Sequence, residues 1–121
     1  MNVRTSIAAM CAGLVLAGGA WAQDFKKMGG ILVNGAGMTL YTFDRDSGGK
    51  SACNGPCATN WPPVMAGADA KASGDWTIIT RDDGAKQWAY KGKPVYLWSK
   101  DAKPGDMTGD NFNNVWHVVK D

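Results

Sequence analysis

Apolar and polar positions alternate over short distances along most of this chain, and glycine, asparagine or aspartate interrupts each run. Thr39 to Asp44 places Thr39, Tyr41 and Phe43 on one side and Leu40 and Thr42 on the other, a period of two that predicts a strand. Ile31-Leu32-Val33, Trp76 to Arg81, Gln87 to Tyr90, Val95 to Trp98 and Val115 to Val119 predict further strands. Asn34-Gly35-Ala36-Gly37 predicts a hairpin loop, because Asn-Gly supplies positive φ angles. Gly29-Gly30, Asp82 to Ala85 and Lys91 to Pro94 predict turns. Trp61-Pro62-Pro63-Val64-Met65 predicts an extended edge segment, since proline is excluded from helix interiors and central strands. Asp44 to Asn60 and Asp101 to Asn114 predict long loops, and Ala66 to Gly74 a connection with room for one helical turn. The expected fold class is all-β, a small antiparallel domain.

The pattern occurs twice. Gly37, Tyr41, Phe43 and Asp46 return as Gly92, Tyr96, Trp98 and Asp101, an offset of 55 residues. At the same offset Gly29 meets Gly84, Trp61 meets Trp116 and Val64 meets Val119. Shared anchors at one period indicate internal duplication, with repeats at about 29–65 and 84–120. Two copies do not make an open array. They predict a pseudo-twofold arrangement, since neither half alone could bury its aromatic face.

The amino terminus changes the picture of location. Arg4, the apolar run from Ile7 to Ala20 and the Ala20-Trp21-Ala22 ending predict a cleaved signal peptide over residues 1–22, leaving 23–121 as one β domain. Cys11 lies within the apolar run and would be removed with it. No later segment is long and apolar enough to span a membrane, so a soluble periplasmic or secreted protein is expected. All eleven acidic residues are Asp, and without Arg4 they nearly balance the twelve remaining basic ones, which argues against a nucleic-acid or anionic-membrane partner, since either calls for a basic patch.

The residues Tyr41 with Asp46, Tyr96 with Asp101, the Cys53-to-Pro63 stretch, the Asp83-to-Gly92 stretch and Pro104-Gly105-Asp106 together resemble a bacterial secreted-repeat family defined by a Y-x4-D motif. Many of its members are described as predicted lipoproteins, and the family is chiefly of unknown function. The resemblance covers nearly the whole chain after residue 22. A lipobox cysteine at the cleavage site is lacking here, which favours a soluble periplasmic form.

The candidate chemistry is sparse. Tyr41, Phe43, Tyr96 and Trp98 read first as core, and otherwise as an aromatic groove for a ligand. Asp46 and Asp101 each precede a turn and can accept backbone N–H bonds, or a Tyr hydroxyl of the other half. A calcium loop starting at Asp44 would need a Glu where Gly55 stands. In an oxidising compartment Cys53 and Cys57 pair most simply as a disulfide, contributing about 2 kcal/mol by the loop-entropy argument. The alternative is a soft-metal or redox site, because Cys53, Cys57, His117, Met65 and Met107 include donors that suit copper. Motifs of serine hydrolases and zinc peptidases are absent, and Gly48-Gly49-Lys50-Ser51 lacks the first glycine of a phosphate loop. No cofactor is expected. The expected function is that of an exported, non-catalytic binding or interaction module of the cell envelope, with an envelope protein or a small ligand as partner. A copper- or thiol-linked redox accessory protein using Cys53 and Cys57 is the alternative.

Overall fold

Two glycines close the first hairpin. In the computed structural model, which describes residues 25–120, β1 (Lys26–Met28) pairs antiparallel with β2 (Ile31–Val33), with Met28 opposite Ile31. Gly29 and Gly30 between them have φ of 61° and 83°, as a two-residue hairpin turn requires. The signal peptide expected at residues 1–22 lies outside the described residues. Among those described, no helix is long and apolar enough to cross a membrane.

After β2 the chain turns through Asn34 to Met38 into β3 (Tyr41–Phe43). The Asn-Gly dipeptide does not supply the turn as expected. Asn34 instead accepts N–H bonds from Ala36 and Met38 on its side-chain oxygen, at 2.9 and 3.0 Å, and the positive φ falls on Gly37. The loop expected from Asp44 to Asn60 contains a short helix, α1 (Pro56–Asn60), which proline opens. The connection from Ala66 to Gly74 holds a turn from Gly67 to Ala70 rather than a helix.

The second half has β4 (Trp76–Thr80), β5 (Lys86–Tyr90) and β6 (Lys93–Pro94) in one antiparallel sheet, then a 3-10 helix (Phe112–Asn114) and β7 (Trp116–Val118). The strand expected at Val95–Trp98 begins earlier, with β6 at Lys93–Pro94, and the extended pairing goes on through Tyr96, which is bridged to Tyr41 and Pro63. The turn needs only Lys91 and Gly92, whose φ angles are 50° and 83°, so Pro94 is already in the ladder opposite Ala89. As the last strand residue on a sheet edge, Pro94 costs no interior hydrogen bond.

Two closed rings of main-chain hydrogen bonds show how the repeats interlock. Leu32 N–H donates to Val119, Val119 N–H to Leu40, and Leu40 N–H to Leu32. In the other half Trp88 N–H donates to Val64, Val64 N–H to Val95, and Val95 N–H to Trp88. Leu40 matches Val95 and Val64 matches Val119 at the offset of 55, whereas Leu32 matches Trp88 at 56. The second repeat is thus one residue shorter through its hairpin, and the Gly29–Gly84 correspondence is one of sequence and not of position. Each ring takes its third member from the opposite repeat. The six ring residues, with Tyr90, form one buried apolar cluster.

Between the rings runs a four-segment ribbon. Tyr41 and Tyr96 exchange both main-chain hydrogen bonds, at 2.8 and 2.9 Å. Tyr41 faces Val118 on its other side, as Tyr96 faces Pro63. Because equivalent residues pair with each other, the pseudo-twofold axis passes between them. Trp61 and Trp116, also equivalents, stack on the same axis at 3.8 Å with planes 2° apart. Phe43 stacks on Trp116 and Trp98 on Trp61, at 4.2 and 3.9 Å, which completes a four-ring column. Tyr41 and Tyr96 meet Trp61 and Trp116 edge-on, at 5.3 and 5.1 Å. Leu40 and Tyr41 are both fully buried, so this strand is covered on both faces, one by each cluster.

Gly109 lies against the column. A Cβ there would come within 2.6 Å of the Trp61 ring and 3.0 Å of Trp98, while at Gly67 it would meet nothing within 4 Å. Gly109→Ala is expected to cost about 1–3 kcal/mol through overpacking. Gly67→Ala is expected to be neutral or stabilising by up to about 1 kcal/mol. Urea midpoints read by tryptophan fluorescence check both.

Candidate functional site

The motif residues meet across the axis. Tyr41 donates its hydroxyl proton to Asp101 Oδ2 at 2.8 Å, and Tyr96 donates to Asp46 Oδ2 at 2.6 Å. Each tyrosine therefore bonds the aspartate of the other repeat, not the one five residues ahead of it. Both aspartates also hold their own loops. Asp46 Oδ1 accepts Ala52 N–H at 2.6 Å, and Asp101 Oδ1 accepts Thr108 N–H at 3.0 Å and its hydroxyl at 2.6 Å. Burial, and next the bonded carboxylate, pushes both tyrosine hydroxyls well above their ordinary range, so they remain donors.

Arg81, which lies in the second repeat, adds a buried cation to the Tyr96–Asp46 pair. Arg81, 6 % exposed, donates through Nη1 to Ser51 Oγ at 3.0 Å and to Gln87 Oε1 at 2.8 Å. Through Nη2 it donates to the Cys53 carbonyl at 2.6 Å and to Asn54 Oδ1 at 3.3 Å. Ser51 and Tyr96 hydroxyls lie 2.5 Å apart. The protons then run one way, from guanidinium to Ser51, to Tyr96, to Asp46. In the second repeat the donor at this end is Gly109 N–H, 3.2 Å from the Tyr41 hydroxyl. A buried guanidinium is tolerable only when its donors are satisfied, and four acceptors surround this one. Nothing in the local sequence marks it: an Arg ahead of Asp82-Asp83-Gly84 reads as part of a solvated turn.

Cys53 and Cys57 form a disulfide, with Cα atoms 5.2 Å apart. Cys53 is fully buried and Cys57 half-buried, both against the aromatic column. At the offset of 55, Cys57 holds the place of Phe112, which packs against Trp61 and Trp98 at 5.7 and 5.0 Å. The disulfide thus packs against the aromatic cluster in the first repeat as Phe112 does in the second. His117 does not join the cysteines. Its Nε2 lies 2.8 Å from Asp44 Oδ2 and its Nδ1 3.1 Å from Asn111 Oδ1. Met65 and Met107 are each nearly half exposed. Among the described residues no three His, Cys, Asp or Glu side chains are grouped to hold a metal ion.

The fold and these contacts can be set beside known proteins. A family described as a secreted repeat of unknown function matches residues 25–65 and again residues 77–120. The chain belongs to that family. No curated protein and no solved structure matches it. The second match begins inside β4, so the secreted repeat takes in a full hairpin ahead of each tyrosine strand.

Exposed polar chemistry collects elsewhere. Two adjoining clefts of about 340 Å³ each share Thr42, Asp44, Lys91 and Lys93. The first lies between the segment from Thr42 to Gly48 and the turn from Lys91 to Pro94. The second continues past His117 to Lys120. Neither lysine of the turn was singled out by sequence reasoning, because Lys-Gly-Lys-Pro reads only as a turn. Their position opposite Asp44 follows from the pairing of the two repeats.

Asp46 gives the site a pH dependence. Burial raises its carboxyl above the ordinary 3.8, against the lowering effects of the Ala52 N–H, the Tyr96 hydroxyl and the Arg81 charge. A raised folded value contributes stability that is fully present below the unfolded value and is lost as pH rises through the folded one. Asp46→Asn removes this dependence. Wild type is expected to gain on the variant as pH falls from about 7 to about 3. Urea midpoints of both proteins at the two pH values test it, and a gap that stays constant or moves the other way contradicts it.

Proposed function

We propose that this secreted-repeat protein is a non-catalytic binding module of the cell envelope. In this reading residues 1–22 are a cleaved export signal, residues 23–121 form a single domain of two repeats, and the mature protein is soluble in the periplasm. The Tyr41–Asp101 and Tyr96–Asp46 pairs brace the scaffold, and the Cys53–Cys57 disulfide pins the loop between Asp44 and Asn60. The cleft between Asp44–Gly48 and Lys91–Pro94 takes the partner.

One observation carries the reading. The hydroxyls and carboxylates of the repeated motif are buried or half-buried and committed to each other across the axis, while Lys91 and Lys93 stand exposed on the wall of a concave surface. Groups already bonded to each other are poor candidates for chemistry on a substrate. A few polar or charged groups converging on a concave surface are what fixes orientation and specificity in a recognition site. The copper- or thiol-linked alternative draws no support from the placement of His117, which Asp44 and Asn111 hold.

The test is photocrosslinking in the native host. A benzophenone side chain at Lys93 is expected to give a discrete adduct, and one at the exposed Thr77 of β4, which lines neither cleft, is not. Adduct at both positions, or at neither, contradicts the assignment of the cleft.

A further inference from the structure

The two halves differ at the cleft in an informative way. At the offset of 55, the residues Ala36, Gly37, Met38 and Thr39 correspond to Lys91, Gly92, Lys93 and Pro94. In the second half the loop after Asp101 folds down onto Gly37. A side chain at Gly37 would meet the Pro104 ring at 2.9 Å. Gly105 N–H donates to the Gly37 carbonyl at 3.3 Å, and the Thr39 hydroxyl donates to the Asp106 carbonyl at 2.7 Å. Asp106 keeps this loop folded by accepting N–H bonds from Ala102 and Lys103 at 2.8 and 3.1 Å, and Lys103 pairs with it at 2.7 Å. Gly37 is buried as a result.

The first half has the equivalent floor without the cover, with Pro94 in place of Thr39 and its hydroxyl. Asp46 reaches its backbone donor, Ala52, six residues on, whereas Asp101 reaches Thr108 seven residues on. The shorter loop carries Gly48-Gly49 where the longer one carries Lys103-Pro104. Gly92, with φ near that of Gly37, is exposed and has nothing within 4 Å of a Cβ position. Gly92 therefore lines an open cleft, whereas Pro104 covers the equivalent Gly37. The wall of the cleft has also changed charge, since Lys91 and Lys93 stand where the covered half has Ala36 and Met38. The acids opposite are already answered: Asp44 by His117 at 2.8 Å, and Asp46 by the Tyr96 hydroxyl and Ala52 N–H. Lys91 lies over the Tyr90 ring at 5.4 Å, and neither lysine has an ion-pair partner among the described residues.

We propose that this cleft binds a turn-forming peptide segment of a partner protein, one with a proline to pack on Gly92 and a carboxylate for Lys91 and Lys93. The segment takes the place that Pro104–Asp106 holds in the covered half. The proposal rests on the binding-module reading and gives the class of its ligand.

The probe is the acetylated and amidated pentapeptide of residues 103–107, titrated to millimolar concentration into the folded, amide-labelled protein. Millimolar peptide is needed because the free segment lacks the tether that holds the loop in the covered half. Saturable shifts are expected at the Gly48, Gly92 and Lys93 amides. Replacing the peptide's proline by alanine, or its aspartate by asparagine, is expected to weaken binding about fivefold or more, and the K91E/K93E variant about tenfold. Unchanged affinity on either peptide replacement, equal shifts from acetate alone, or no shifts at these amides overturns the proposal. A Lys93 photoadduct that persists beside a silent titration overturns the peptide assignment and leaves the binding reading standing. Loss of both removes the two together.

Discussion

Everything in this fold depends on one reciprocal pairing, the exchange of main-chain hydrogen bonds between Tyr41 and Tyr96. Two equivalent residues can pair with each other only about a twofold axis. Once that axis is set, the rest follows by symmetry. The hydroxyls of the pair reach forward into opposite halves and find the aspartates there, and the two tryptophans that follow meet face to face on the same line. A buried hydroxyl without a partner would cost about 1–3 kcal/mol, so each tyrosine depends on a residue of the other repeat to be buried at all. The apolar rings repeat the lesson, since Val64 and Val119 complete the half they do not belong to. Neither repeat of this secreted-repeat protein has a finished core of its own.

Symmetry of this kind leaves the differences conspicuous. The first repeat carries a disulfide where the second has Phe112, and its Asp46 brace is backed by a buried guanidinium where the Asp101 brace is backed by a backbone N–H. It also has an open cleft where the second has a folded loop. Arg81 links the first two. It holds the Cys53 carbonyl, and through Ser51 it reaches the Tyr96 hydroxyl, so the disulfide loop and the tyrosine brace share one hydrogen-bonded chain. The open cleft lies along the same Asp46 loop. One half has kept closure and the other has exchanged it for an accessible surface.

The duplication was legible because its anchors are glycines, aromatics and aspartates, residues that turns and buried pairs fix tightly. Period two at Thr39 to Asp44 correctly announced a strand, and the fold class followed. Register was less legible. The start of the strand at Lys93 and not Val95, the one-residue shift between Leu32 and Trp88, and the side-chain turn at Asn34 depend on which backbone groups find partners. Arg81 was invisible because its burial is made by Ser51, Cys53, Asn54 and Gln87, brought from two other segments. The cleft was invisible for a similar reason: its walls, Thr42 to Gly48 and Lys91 to Pro94, are far apart in the chain, and its meaning appears only when Gly92 is compared with Gly37.

The crossed brace is the claim most directly open to measurement, by double-mutant cycles on Tyr41. The pair Tyr41→Phe and Asp101→Asn should show a coupling of about 1 kcal/mol or more in unfolding free energy, although the residues are far apart in sequence. The pair Tyr41→Phe and Asp46→Asn, five positions apart within one motif, should be additive within about 0.5 kcal/mol. Coupling to Asp46 with none to Asp101 would mean that each repeat braces itself, and the interlocked arrangement described here would be wrong.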